Sequence, residues 1–372
     1  TEPKIQETID DKKYLVSSAG YTAIIVPYAI HGGAEVYLKN ILIEMEAQTP
    51  GLIDRFEIIH LNRGSKTFNL TFKEIFAGSI NRLSLILRSK NYENIIFYNS
   101  FSVYRMLKGL KLNKMISSKI VEIYHSDLVW SDSMAAVKER SQISSIIRVS
   151  DGLLNDCDIG DAELVTVPVG INIDIFKNRD RNKIRNDLNI IDNRPIIGIV
   201  ARLSPEKNID YILDIANKMD DFLFLFVGGG KGLAEYRENA LENVRFLGYK
   251  NDVYKYHCAF DSLLLASKIE GTPISIIEAM ATERVVFTSN VGEVSSLISD
   301  GDNGVFITGA VDDDVKIIRN NFSKRSIAKN ARASILKHDI KIVCKKFIST
   351  LFSKSRYELI QGEVSNNLGE FI

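Results

Sequence analysis

The tightest constraint on this chain is a rhythm that runs along most of its 372 residues. Short apolar runs, too brief for a helix, alternate with longer segments whose apolar residues recur at helical spacing. "YTAIIVPYAI" reads as a strand ending at "HGG", and "AEVYLKNILIEM" as the helix that follows. "RFEIIHLN", "NIIFYNS" and "KIVEIYH" read as further strands, and "LVTVPVGINIDIF" as strand and then loop. Beyond that loop the rhythm restarts. "RPIIGIVARL", "FLFLFVGGG", "VRFLGY", "FDSLLLAS", "RVVFTS" and "GVFIT" are strands, "NIDYILDIANKM" is a helix, and from about Ser323 the pattern is helical and basic. Such alternation marks an α/β protein with parallel sheets, and a chain of this length is expected to form two domains. The expectation is two successive doubly wound parallel-sheet units, 1–176 and 177–350, with the connection near Asn172–Lys177. A helical tail, 351–372, is expected to pack back toward the first unit. Ligands of such sheets sit at the carboxyl ends of strands, so a cleft between the units is the expected site.

Composition narrows the function. Lys plus Arg and Asp plus Glu are both 47, so the net charge of zero gives no reason to expect nucleic acid as a partner. Cys157, Cys258 and Cys344 are far apart and lack CxxC spacing, which argues against a disulfide framework or zinc site and fits a reducing compartment. No apolar run approaches the roughly 18 residues of a membrane-spanning helix, and the start shows no secretory signal. The chain begins at Thr1, not Met, as after processing or excision from a longer polypeptide. Between Arg55 and Lys119, 12 Lys or Arg face three acids, Glu57, Glu74 and Glu93. Within that window "FKEIFAGSINRLSLILRSK" and "YRMLKGLKLNKM" read as amphipathic helices. They are either ordinary solvated faces or a basic surface for an anionic membrane or lipid-linked acceptor.

Five segments carry candidate chemistry. In "KIEGTPISIIEAMATERVV" Glu270 falls just past the carboxyl end of a strand. Thr272 is a candidate helix cap and Pro273 a first helical residue, predicting a helix from Pro273 to about Thr282 with Glu278 inside it. The free N–H groups at that helix start suit a phosphate or sugar oxygen. The plainer alternative is a loop acid and an exposed helix acid. "GIVARLSPEKN" places Arg202 and Lys207 at a neighbouring strand end. With no clustered metal ligands in the sequence, such cations could stabilise a departing diphosphate, or be surface charges. "FLFLFVGGGKGLAEY" joins a strand to Gly228, Gly229 and Gly230, a possible phosphate cradle. It could equally open a dinucleotide site with Asp252 as the ribose acid, although the spacing is not GxGxxG. "HGGAEVYL" puts Gly32 and Gly33 between strand and helix, and "IVEIYHSD" puts His125 at another strand end.

Together these motifs resemble one family. "HGGAE", "VPVGINIDIF", "GIVARLSPEKN", "FVGGG", "VRFLGY", "EGTPISIIEAMA" and "VGEVSSLISDGDNGVFI" are similar, in order and spacing, to the GT-B retaining glycosyltransferases of family 4, which include bacterial surface-glycan transferases. The resemblance covers nearly the whole chain and implies two Rossmann-like domains, the first on the acceptor side and the second binding the nucleotide sugar. It implies that Arg202 and Lys207 hold the diphosphate, that Glu270 contacts the donor sugar and that Glu278 bonds the ribose. It further implies that Gly271, Thr272, Pro273, Ile274 and Ser275 line diphosphate and sugar. Gly32 and Gly33 would lie beside the donor phosphate or the acceptor, with Gly228 and Gly229 also on the donor side. His125 would face the reacting sugar, and Gly248 and Tyr249 would receive the base.

The reaction implied is transfer of a hexosyl group, from a UDP-sugar by preference, to a glycan or lipid-linked glycan, with retention and without a metal or other cofactor. The setting implied is cytoplasmic, peripheral at the membrane. The sequence departs from the family at Val169, where Asn is usual, and in "ATERVV", which lacks Gly-x-Pro and predicts a changed turn. It also departs at Glu293 and Ser296. A catalytically inert glycan-binding or scaffold subunit, and a nicotinamide-dependent oxidoreductase using "VGGGKG", are the competing readings.

Overall fold

The structure is a computed structural model and describes residues 20–26, 33–61, 73–98, 118–125, 143–155, 159–177, 181–191 and 193–352. The chain divides into two compact units. One comprises Thr1–Gly170 with Ile340–Ile372, the other Ile171–Asp339.

The first unit is built on a seven-stranded sheet in the order β3-β2-β1-β4-β5-β6-β7, every pair parallel. Its strands are β1 (Tyr21–Val26), β2 (Phe56–His60), β3 (Lys73–Phe76), β4 (Tyr92–Tyr98), β5 (Lys119–Tyr124), β6 (Ser145–Arg148) and β7 (Glu163–Thr166). Their burial is close to continuous, as for strands covered on both faces. Helix α1 (Gly33–Gln48) buries Tyr37, Leu38, Ile41, Leu42 and Met45, an i, i+1, i+4, i+5, i+8 spacing that turns one stripe inward. Helix α2 (Ile80–Ser89) follows β3. The segment read from sequence as a single helix over 72–90 is therefore a strand and a helix. Gly78, at φ 73°, breaks the strand, and the Ser79 side chain accepts from the Arg82 N–H to cap α2. "YRMLKGLKLNKM" and the tail 353–372 lie outside the described residues.

The second unit holds six parallel strands in the order β10-β9-β8-β11-β12-β13. They are β8 (Ile196–Val200), β9 (Leu223–Val227), β10 (Val244–Gly248), β11 (Ser262–Leu265), β12 (Val285–Thr288) and β13 (Val305–Phe306). Helices α3 (Arg181–Asp187), α4 (Ile209–Asn217), α5 (Leu233–Glu238), α6 (Val253–Ala259), α7 (Ile274–Ala281), α8 (Val311–Asn321) and α9 (Arg325–Ser334) connect and cover them. The period of two along β9 divides the core. Phe224 and Phe226 enter one cluster with Ile197, Leu264 and Phe287, while Leu223, Leu225 and Val227 enter the other with Ile196 and Phe260. Strand β8 spares Phe260 a clash by carrying Gly198, where a Cβ would stand 2.0 Å from its ring.

The boundaries differ from those expected. The first unit ends at Gly170, and Ile173 and Phe176, read as linker, are buried. The chain returns to the first unit at Ile340, not 351, because α10 (Ile340–Leu351) buries Val343, Cys344, Phe347 and Ile348 there, packing on α1. The two crossing points are neighbours on the second unit: Ile171 N–H donates to His338 O at 3.0 Å, and Ile171 pairs with Asp339. Cys258 and Cys344 are buried and form no disulfide among the described residues; Cys157 lies outside the described residues.

Candidate functional site

In a sheet ordered β10-β9-β8-β11-β12-β13, the connections leave in opposite directions from β8 and β11, opening a crevice at their carboxyl ends. The loops past those two ends carry Arg202 and Lys207 on one side and Glu270 on the other. Lys207 donates to Glu270 Oε1 at 2.6 Å, and Ser267 Oγ donates to the same oxygen at 2.6 Å. The Lys207 and Glu270 side chains are only 16% and 7% exposed, so this ion pair is largely withdrawn from water. The loops are also joined through backbone, Lys268 N–H to Glu206 O at 2.8 Å.

Arg202 behaves differently. It is 64% exposed and donates to Glu206 Oε1 at 3.1 Å within its own loop. The Ser204 hydroxyl, bonding the same Glu206 oxygen, is the chief cause that holds that carboxyl below its usual range. The residues Pro205–Lys207 form a 3₁₀ turn, and α4 begins only after Asn208 at φ 54°. Of the two predicted cations, one meets Glu270 and one is held near solvent.

Helix α7 starts one residue later than predicted. Pro273, at ψ 115°, is its cap and not its first residue, and no side chain caps the helix. Thr272, expected as that cap, has its buried Oγ1 without a hydrogen-bond partner among the described residues. The N–H groups beside Ile274 and Ser275 therefore open at the end of the sheet that carries Glu270, uncapped and beside an unsatisfied hydroxyl.

Glu278, on α7, is buried and not an exposed helix acid. Its Oε2 lies 3.1 Å from His257 Nε2, on α6. His257 itself is fully buried, between the rings of Phe176 and Phe260 at 6.0 and 5.7 Å.

The glycine run after β9 is explained within the fold. A Cβ on Gly228 (φ 152°) would lie 1.8 Å from Ala201 O, and one on Gly230 would lie 2.4 Å from Leu203 O. Those two glycines let the loops after β8 and β9 touch, whereas a Cβ on Gly229 would meet nothing closer than 3.8 Å. Asp252, the acid of a dinucleotide reading, pairs with Lys255 at 2.7 Å on the surface. Gly248 takes φ 76° at the end of β10 and turns the chain into Tyr249, which is 62% exposed.

In the first unit, Gly33 opens α1, while Gly32 lies outside the described residues. His125 follows β5, with the rings of Tyr37 and Tyr98 at 4.9 and 5.1 Å, and its buried Nε2 has no partner among the described residues. Burial pushes its imidazole down to about 3, so the ring is neutral at ordinary pH. The Tyr98 hydroxyl donates to Ala34 O, fixing the first turn of α1 beside the glycine loop.

Sequence reading missed Ser267, His257 and Gly292. Ser267 was detectable, three residues before Glu270 at the same strand end. His257 was not, because 21 residues separate it from Glu278. At Gly292 (φ 54°) a Cβ would lie 1.9 Å from Glu270 O, so its loop closes directly on the Glu270 backbone.

Residues 180–333 match the family model described as Glycosyl transferases group 1. The O-antigen biosynthesis glycosyltransferase WbnH of Escherichia coli is 32% identical over 116 residues, 31% of this chain and 33% of that protein, so the match spans about a third of the relative's length. The lipopolysaccharide 1,2-N-acetylglucosaminetransferase of Salmonella typhimurium is 22% identical over 71% of this chain and 69% of its own. In fold, Anabaena Alr3699/HepE in complex with UDP-glucose superposes with a TM-score of 0.74 at 19% identity, covering 90% of this chain and 99% of the other. The two parallel-sheet units thus match the GT-B fold of such structural neighbours, and residues 180–333 are similar to group 1 glycosyl transferases.

Proposed function

We propose that the protein transfers a hexosyl group from a nucleotide sugar, a UDP-sugar by preference, to a hydroxyl of a glycan or lipid-linked glycan, with retention of configuration, in the assembly of a bacterial surface polysaccharide. The observation that carries this reading is the Lys207–Glu270–Ser267 cluster beside the uncapped start of α7, at the β8/β11 crevice. A diphosphate at that helix start would meet free N–H donors and the Lys207 ammonium, which offset the charge that builds as the sugar departs. Arg202 reaches the same phosphates by releasing Glu206, a surface pair that contributes little where it stands. In this reading the countercharge comes from side chains, and no metal is required.

With phosphate drawing on Lys207, Glu270 is freed to accept a hydroxyl of the donor sugar, and Ser267 keeps its carboxylate in place. Glu278 takes the ribose and Tyr249 offers its exposed ring to the base. His125, held neutral, would serve a sugar as a hydrogen-bonding group, not as a charge. The names of the relatives support a lipopolysaccharide or O-antigen acceptor, and UDP-glucose in the structural neighbour supports a UDP donor. The cations of the 55–119 window would serve an anionic surface only in part, since Lys73 and Lys90 bond Glu57 and Lys119 bonds Thr350 O.

Lys207→Ala and Glu270→Ala are expected to fold normally and to lose transfer by about 10²-fold or more. Calorimetry should show UDP or GDP binding and no NADH binding. Wild-type turnover in either variant, or no binding of either nucleotide, refutes the assignment.

A further inference from the structure

Glu278 presents an unequal pair of oxygens. Oε2 is engaged by His257 Nε2 at 3.1 Å, while Oε1 accepts no hydrogen bond among the described residues and the side chain keeps 11% of its surface open. His257 has no freedom to do otherwise. Its ring is packed by Phe176 and Phe260, and its carbonyl accepts from Arg284 Nε at 3.2 Å. Its Nδ1 is buried without a partner among the described residues. A carboxylate oxygen only accepts, so Nε2 is assigned as the donor to Glu278. An orphaned ring nitrogen is costly in a core, and a Leu or Phe would fill the same space without it. The histidine is therefore best explained by what Nε2 does.

We propose that His257 is a positioning residue: by holding Oε2 it fixes the Glu278 carboxylate so that its outward lone pairs receive both hydroxyls of a vicinal diol, the ribose of the bound nucleotide. The inference rests on the donor reading above and deepens it, since it makes α6, not only α7, a determinant of selection between ribose and deoxyribose. A carboxylate left to rotate would accept one hydroxyl about as well as two. A carboxylate held in one rotamer penalises the loss of either, because its oxygen is then desolvated and unmatched.

The test compares UDP or GDP, whichever binds, with its 2′-deoxy counterpart by calorimetry in wild type, His257→Leu and His257→Gln. Wild type should favour the ribonucleotide by about tenfold or more, the size of one hydrogen bond to a charged group. His257→Leu should bind the ribonucleotide more weakly and the deoxy form unchanged, bringing the ratio to about threefold or less. His257→Gln, whose amide nitrogen replaces Nε2, should restore most of it. A purely structural role would weaken both ligands alike. If the Leu variant does not fold, His257→Asn, too short to reach Glu278, should show the same collapsed ratio beside a Gln variant that keeps it. An unchanged ratio in Leu or Asn overturns the inference alone, as does a wild type that binds the nucleotide without preferring ribose. A wild type that binds neither nucleotide sinks the donor reading and the inference with it.

Discussion

Gly228 and Gly229 are adjacent, chemically identical, and in opposite situations. The first stands where a Cβ would occupy the space of the Ala201 carbonyl oxygen, at 1.8 Å, and backbone cannot move aside as a side-chain tip can. The second faces Tyr249 Cβ at 3.8 Å, an ordinary contact. Gly228→Ala should therefore cost about 3 kcal/mol or more, and Gly229→Ala about 1 kcal/mol or less, in urea unfolding. Equal costs would show that the run is not pinned by the loop after β8. Glu283 makes the complementary point. The missing glycine of "ATERVV" predicts a changed turn, yet Glu283 takes φ 56°, the left-handed conformation a glycine would favour. An ordinary side chain is strained in that conformation.

At the scale of elements, four strands of the first sheet are tied at their amino ends by one acid. Glu57 on β2 accepts from Lys73 on β3 at 2.7 Å, from Lys90 after α2, and from the Tyr92 hydroxyl on β4 at 2.5 Å; Lys90 also lies 4.3 Å from the Tyr21 ring centroid on β1. Burial alone would raise this carboxyl, but the three hydrogen bonds outweigh it and hold it at about 2 against an ordinary 4.5. A carboxyl depressed in the folded state stabilises fully above the ordinary value and loses that contribution as pH falls from about 4.5 toward 2. Glu57→Gln should be less stable than wild type by roughly 2–3 kcal/mol at pH 7, and the gap should close across that window in urea titrations. A gap constant with pH would mean that packing, not charge, sets the difference. Elements of this sheet were unevenly legible. The long apolar runs of β1, β4 and β5 announce themselves, but β3 is four residues of mixed polarity ahead of a helix of similar pattern, and β6 is a short run between serines. The site divides the same way. Lys207 and Glu270 were readable because each directly follows a conspicuous strand, whereas the Glu278–His257 contact depends on how α6 packs beside α7, which no local pattern encodes.

For the molecule as a whole, the decisive element is α10, whose Phe347 is fully buried beside Val343, Cys344 and Ile348. Phe347→Ala should cost about 3–5 kcal/mol and speed amide exchange in β1 and α1 while leaving β8 to β12 protected; a slowdown or loss spread evenly over both units would contradict the division at Gly170 and Ile340. That division also has a consequence for how the chain is made. Strands β1–β7 leave the ribosome long before the helix that covers α1, whereas everything the second unit needs lies in one uninterrupted stretch, Ile171–Asp339. The usual order of synthesis, amino-terminal domain first, is thus reversed in its last step: the later unit can finish its core while the earlier one still waits for its final helix. Any chaperone need would fall on the waiting surface of α1, and a stop codon after Asp339 would strand the half of the protein that had been translated first.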